Sequence, residues 1–131
     1  MGTNELRIGN YVMCKNKIGL ITSLNKLAIC FTYLGEDDVC MAYIDAISPV
    51  VLTDELLFKL GFGDAINVYD DYRAYQISAE IENIYLLYKN GMYYHAYEYD
   101  CTIIETIPCT GLHSLQNKYF DLNGKELEVK L

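Results

Sequence analysis

Along the first fifty positions the apolar residues come in short runs with period-two alternation, broken by polar turn signals. Leu6-Arg7-Ile8-Gly9-Asn10-Tyr11-Val12 leads into a strand through Val12 and Cys14. Lys15-Asn16-Lys17 reads as a polar turn, and Ile18-Gly19-Leu20-Ile21 starts the return strand. Leu27–Tyr33 is β-branched and aromatic, Gly35-Glu36-Asp37-Asp38 is a loop, and Val39–Ile44 forms a further strand. Short strands this closely spaced predict a small, strongly bent sheet or barrel, which Pro49 closes.

The pattern then changes. Thr53 is a good N-cap, Asp54 and Glu55 sit where the helix dipole favours acids, and Leu56, Leu57 and Leu60 form an apolar stripe ending at Gly61. A helix of two to three turns follows, held by packing because so short a helix is marginal alone. From Ile66 to Ile107 longer strands are expected: Tyr72–Ile81, Ile84–Lys89, Met92–Tyr99 and Cys101–Ile107. Asn90-Gly91 is a strong two-residue hairpin signal, since both positions of a type I′ turn need φ > 0. Leu112, Leu115, Tyr119 and Leu122 share one face of a second helix, stopped by Asn123-Gly124. Leu127, Val129 and Leu131 alternate in a final edge strand over Glu126–Leu131.

These elements predict an α+β fold. A small bent N-terminal β unit, with an SH3-like barrel possible, is followed by a short helix, an antiparallel β-meander, and a C-terminal helix with its edge strand. A length of 131 residues suits one domain, 1–131, with sub-units at 1–49 and 50–131. At 52% hydrophobic and 21% charged, the chain can bury a core. No apolar stretch is long enough to span a bilayer, so no membrane partner is expected.

The net charge of -8 argues against binding to a nucleic-acid backbone, which needs Lys and Arg to displace counterions. Five cysteines, an odd number, occur without a Cys-x-x-Cys pair. No apolar leader follows Met1-Gly2-Thr3-Asn4-Glu5. The thiols are therefore expected to be free core residues in a reducing cytoplasm, with no metal and no cofactor. Cys101, Cys109 and His113 make the nearest approach to a metal cluster, without zinc spacing.

Two blocks carry a family likeness. One is Asn4-Glu5-Leu6-Arg7-Ile8-Gly9-Asn10-Tyr11-Val12, with Ile47-Ser48-Pro49, Leu52-Thr53 and Leu60-Gly61-Phe62 behind it. The other is Leu112-His113-Ser114-Leu115-Gln116-Asn117-Lys118-Tyr119-Phe120 with Asn123-Gly124-Lys125-Glu126-Leu127. Together they resemble a family of small uncharacterised proteins of Bacteroidetes and their phages. The middle, Ile66 to Ile107, diverges, and Thr110-Gly111 stands where that family more often has a second apolar residue before the helical His. The resemblance implies a phage or mobile-element setting in a bacterial host cell and brings no catalytic residues. Gly9-Asn10-Tyr11-Val12 with Lys17-Ile18-Gly19-Leu20-Ile21 is also similar in outline to KOW- or SH3-like small barrels, which bears on fold alone.

No catalytic constellation is visible: there is no Gly-x-Ser-x-Gly elbow, and Gly61-Phe62-Gly63 follows a helix, the wrong context for a phosphate-binding turn. His95 alternates with tyrosines on a strand, and His113 falls in the first turn of the second helix, where capping or a loop contact is expected. Asp37-Asp38 and Asp70-Asp71 have the charge to bind a divalent cation, but paired acids in loops are usually just solvated, and that is how they read here.

What stands out is tyrosine. Nine of thirteen lie between Tyr69 and Tyr99. Alternation sets Tyr93, His95, Tyr97 and Tyr99 on one side of their strand and Met92, Tyr94, Ala96 and Glu98 on the other. One face should pack on a helix and the other display rings. The phenols either coat a wet sheet face in cross-strand pairs or form a partner surface or a pocket for a flat ligand. For the second reading Tyr72, Arg73, Tyr75, Tyr93, His95, Tyr97, Tyr99 and His113 are the candidate residues. The leading expectation is a non-enzymatic binding module acting on a host protein or through a homodimer. A second is a protein that sequesters a small nucleotide-like signal in an anti-defence role, with Arg73, Lys89 and Lys118 as the nearest cations. A third, weaker because the acids form no run, is an acidic DNA mimic.

Overall fold

The structure, a computed structural model, describes residues 5–62, 66–69, 72–76, 85–100 and 102–131, with the backbone alone at 66–69, 72–76, 98 and 103. The chain divides into two compact units, Met1–Val51 with Gly111–Lys118, and Leu52–Thr110 with Tyr119–Leu131.

The first unit holds strands β1 (Tyr11–Cys14), β2 (Lys17–Leu24), β3 (Ala28–Tyr33), β4 (Cys40–Tyr43) and β5 (Ile47–Pro49), all antiparallel, in the order β4-β3-β2-β1-β5. Lys15 and Asn16 both take φ > 0 in the two-residue turn that sets Cys14 opposite Lys17. The long strand β2 serves two neighbours. Its first half pairs with β1, and a register shift between Ile21 and Ser23 bends it as it follows β3. A 3-10 turn at Ile44–Ala46 then carries the chain round so that β5 adds to the far side of β1, with Cys14 opposite Ile47. The result is a curled five-strand antiparallel half-barrel. Val12, Cys14, Ile21, Ile29, Phe31 and Ile47 fill its inner face. The ring of Phe31 lies so close over β2 that a Cβ on Gly19 would come within 2.6 Å of it, which is why a residue without a side chain stands there.

The second unit opens with helix α1 (Asp54–Lys59), capped by Thr53 Oγ1 accepting from Leu56 N–H at 3.1 Å. A meander follows: β6 (Ile66–Tyr69), β7 (Tyr72–Gln76), β8 (Tyr85–Lys89), β9 (Met92–Tyr99) and β10 (Thr102–Pro108), in the order β10-β9-β8-β7-β6. Asn90 and Gly91 have φ of 52° and 80° between the paired Lys89 and Met92, the predicted hairpin turn. The predicted extension of β7 to Ile81, and the start of β8 at Ile84, lie outside the described residues.

Helix α2 (Leu112–Asn123) gives its first turns to the first unit and its last to the second, and Gly124 N–H donates back to Phe120 O at 2.8 Å where it ends. One predicted element is corrected: Glu126–Leu131 forms no strand. Leu127 is buried, Val129 half-buried and Leu131 exposed, so the alternation reflects burial that falls off along an unpaired tail.

Candidate functional site

The tyrosine-rich meander was the expected site, and its register sorts the candidates. Tyr93 stands opposite Tyr88, and His95 opposite Leu86. Arg73 and Tyr75 take the register positions opposite those same two β8 residues, Tyr88 and Leu86. Tyr72 is opposite Lys89 and so belongs with the Lys89–Met92 row instead.

The expectation of one packed and one displayed face is corrected at the centre of β9. His95 and its neighbour Ala96 point to opposite faces and are both buried. Tyr93 is half-buried, makes an edge contact with Tyr88 at 4.9 Å between centroids, and donates from Oη to Asp54 Oδ1 of α1 at 3.1 Å. The backbone carbonyl of His95 accepts from Thr106 Oγ1 at 3.0 Å. Only the far end of the row is open, with Tyr97 44% and Tyr99 69% exposed. On the opposite face Tyr85, Leu87 and Ala96 form a small core with Tyr94 packed on it. There Lys89 pairs with Glu105 and lies 5.4 Å from the Tyr94 ring centroid.

His113 is far from the tyrosine residues in sequence and has a different setting. It is 2% exposed, and its Nδ1 is buried without a hydrogen-bond partner. Of the two expected roles, capping or a contact with the preceding loop, the second is the one seen: Nδ1 lies against Gly111, 3.3 Å from where a Cβ there would stand. At this helix start the Leu112 N–H goes to the Val50 carbonyl at 3.0 Å. Burial holds the His113 imidazole below its ordinary pKa, partly offset by the Glu5 carboxylate.

Residues outside the expected site form a hydrogen-bonded cluster in the first unit. Gln116 Oε1 accepts from Tyr11 N–H and its Nε2 donates to the Gly9 carbonyl, both at 2.9 Å. A side-chain amide thus takes the place of a neighbouring strand. Beside it, Asn117 Oδ1 accepts from Arg7 Nε at 2.9 Å and Asn10 Nδ2 at 2.8 Å, while its Nδ2 donates to the Glu5 carbonyl at 2.9 Å. Asn10 Oδ1 in turn accepts from Arg7 N–H at 2.8 Å. These bonds join the two sequence blocks that carried the family likeness, and they account for Arg7, Asn10, Gln116 and Asn117 as fold-holding groups.

Cys14 and Cys109 are buried and Cys30 and Cys40 half-buried, all four as free thiols; Cys101 lies outside the described residues. Among the described residues no three His, Cys, Asp or Glu side chains converge on a metal-sized site. Among them, too, no helix is long and apolar enough to cross a membrane. Comparison of the chain with models of known families, with curated proteins and with solved structures finds no match.

Proposed function

We propose that the protein is a non-enzymatic binding module that engages a host protein through the exposed end of β9, in the cytoplasm of a bacterial cell and in a phage or mobile-element setting. The observation that carries this reading is the pair Tyr97 and Tyr99. They stand two residues apart on one strand face, and both are open to solvent although most of the row behind them is packed. Tyrosine gives large contact area at little entropic cost and keeps a hydrogen-bonding tip for the wet rim of an interface. A flat ligand would instead need rings lying parallel to one another. Tyr88 and Tyr93 meet at 62°, and Tyr93 already spends its hydroxyl on Asp54. Lys89, a cation considered for a phosphate group, is held by Glu105. These points favour a protein partner over a nucleotide-like one.

The test is capture from host lysate with the unchanged chain and with a Tyr97→Ser/Tyr99→Ser variant, after matching melting curves show that both are folded. Exposed substitutions of this kind shift stability by only about 0.5 kcal/mol. A protein retained by the unchanged chain and lost with the variant is the expected result. Equal retention by both would remove the tyrosine pair from the interface. A co-eluting nucleotide-like molecule and no protein would replace this reading with sequestration.

A further inference from the structure

The half-barrel carries a surface that the tyrosine reading does not use. Strand β4 is the last in its sheet, and its side chains alternate: Cys40 and Ala42 pack on the core, whereas Met41 is 65% and Tyr43 62% exposed. Val39, just before the strand, continues the apolar series outward. The backbone of β4 is open on the same edge. Ile44 N–H reaches the Leu27 carbonyl at 2.9 Å, and the pairing continues with Ala28 opposite Tyr43 and Cys30 opposite Met41. Hydrogen-bonded and non-bonded pairs alternate along an antiparallel ladder. The N–H and C=O of Met41 and the N–H of Tyr43 therefore point away from β3. Natural edges are protected by bulges, prolines or lysines. Edge strand β10 of the other unit has a register shift between Glu105 and Pro108 and ends in that proline. Strand β4 pairs with β3 in unbroken register and contains none of these.

We propose that β4 accepts an extended peptide segment of another protein as a sixth strand, with apolar residues at alternate positions and Lys or Arg at its ends. The main-chain groups of Met41 and Tyr43 supply the pairing, and the Val39, Met41 and Tyr43 side chains supply the selectivity for alternate apolar positions. Charge chooses the partner. Exposed Glu36, Asp37 and Asp38 precede the strand and exposed Asp45 follows it, against Lys26 beside Leu27 and Lys17 over the Tyr33 ring. A second copy of the chain is disfavoured by the same groups. In a two-fold β4–β4 pair the acids before one strand would face Asp45 of the other, and like charges set opposite one another repel. The chain's net charge of -8 adds to that repulsion.

The probe is a fluorescein-labelled heptapeptide of alternating valine and threonine with lysine at both ends, followed by anisotropy against the full chain. Saturable binding in the micromolar range is expected, weakened at least tenfold when the terminal lysines become glutamates or when alternate peptide amides are N-methylated. Met41→Pro removes an outward N–H and leaves the β3 ladder intact, so binding should fall tenfold or more with the melting curve kept. Should that variant not fold, Met41→Lys with Tyr43→Lys makes the same test by repelling the peptide. The Tyr97→Ser/Tyr99→Ser variant should bind the peptide as the unchanged chain does, so that this proposal and the tyrosine reading stand or fall separately. Absence of binding, equal binding of the glutamate-ended or N-methylated peptide, or indifference to the Met41 changes would each overturn the proposal. So would a dimer in light scattering that Met41→Lys dissociates, since the edge would then be taken by a second copy.

Discussion

Replacing Gln116 by Ala removes both bonds that its side-chain amide makes to the loop and strand at Gly9 and Tyr11. A hydrogen bond contributes only about 1 kcal/mol net, but a backbone group left unpaired away from water costs about 1–3 kcal/mol. Two groups are orphaned, the Tyr11 N–H and the Gly9 carbonyl, and Gln116 itself is 1% exposed. A loss of about 3 kcal/mol follows, well outside the roughly 0.5 kcal/mol of an ordinary surface change. Gln116→Met separates the causes because it keeps the volume and discards the amide. If hydrogen bonding dominates, Met recovers less than about 1 kcal/mol of the loss, since volume-matched apolar replacement restores packing alone. Urea titration gives the free energies, and amide exchange at Tyr11 reads the affected N–H directly. It should lose protection in both variants. A loss under about 1 kcal/mol for Ala, or full recovery with Met, would refute the strand-like role of Gln116.

Gly91→Val puts a β-branched residue at φ 80°, so the melting curve should shift by the equivalent of about 1–3 kcal/mol; an unchanged curve would contradict the turn. His113 has its pKa depressed by burial, so the unfolded chain takes up a proton before the folded one does. Its contribution is complete above the ordinary value of 6.5, is lost as pH falls below it, and levels off under the folded pKa. His113→Phe should flatten the stability-against-pH curve in that window, and a slope identical to that of the unchanged chain would contradict the assignment. Thiol labelling of native protein should modify Cys30 and Cys40 ahead of buried Cys14 and Cys109, with five equivalents taken up in denaturant; a stoichiometric disulfide or bound zinc would contradict the free-thiol account.

The parts of the fold governed by local rules were readable in advance. Thr53 caps α1 because a hydroxyl three residues before an N–H needs nothing from elsewhere, and Asn90-Gly91 turns because its two residues tolerate φ > 0. The lock at Gln116 and Asn117 was not readable, because its partners lie more than 100 positions away and amides look alike wherever they fall. Alternation at Tyr93, His95 and Tyr97 predicted which residues share a face of β9. It carries no information on whether something covers the second face, and the burial of both His95 and Ala96 is the consequence. Leu127, Val129 and Leu131 show the same limit: period-two spacing describes any extended chain, and a strand also needs a neighbour with free hydrogen-bonding groups. The outward series Val39, Met41 and Tyr43 was present in the expected strand Val39–Ile44, but only the sheet order reveals that it borders an open edge.

The central claim, that partners meet this protein at the open end of its tyrosine row, is tested most directly by site-specific photocrosslinking in host cells. A p-benzoyl-phenylalanine placed at Tyr99 should give one discrete adduct on irradiation, whereas the same group at Leu122, also exposed, should give none. No adduct at Tyr99, or the same adducts from both positions, would contradict the claim.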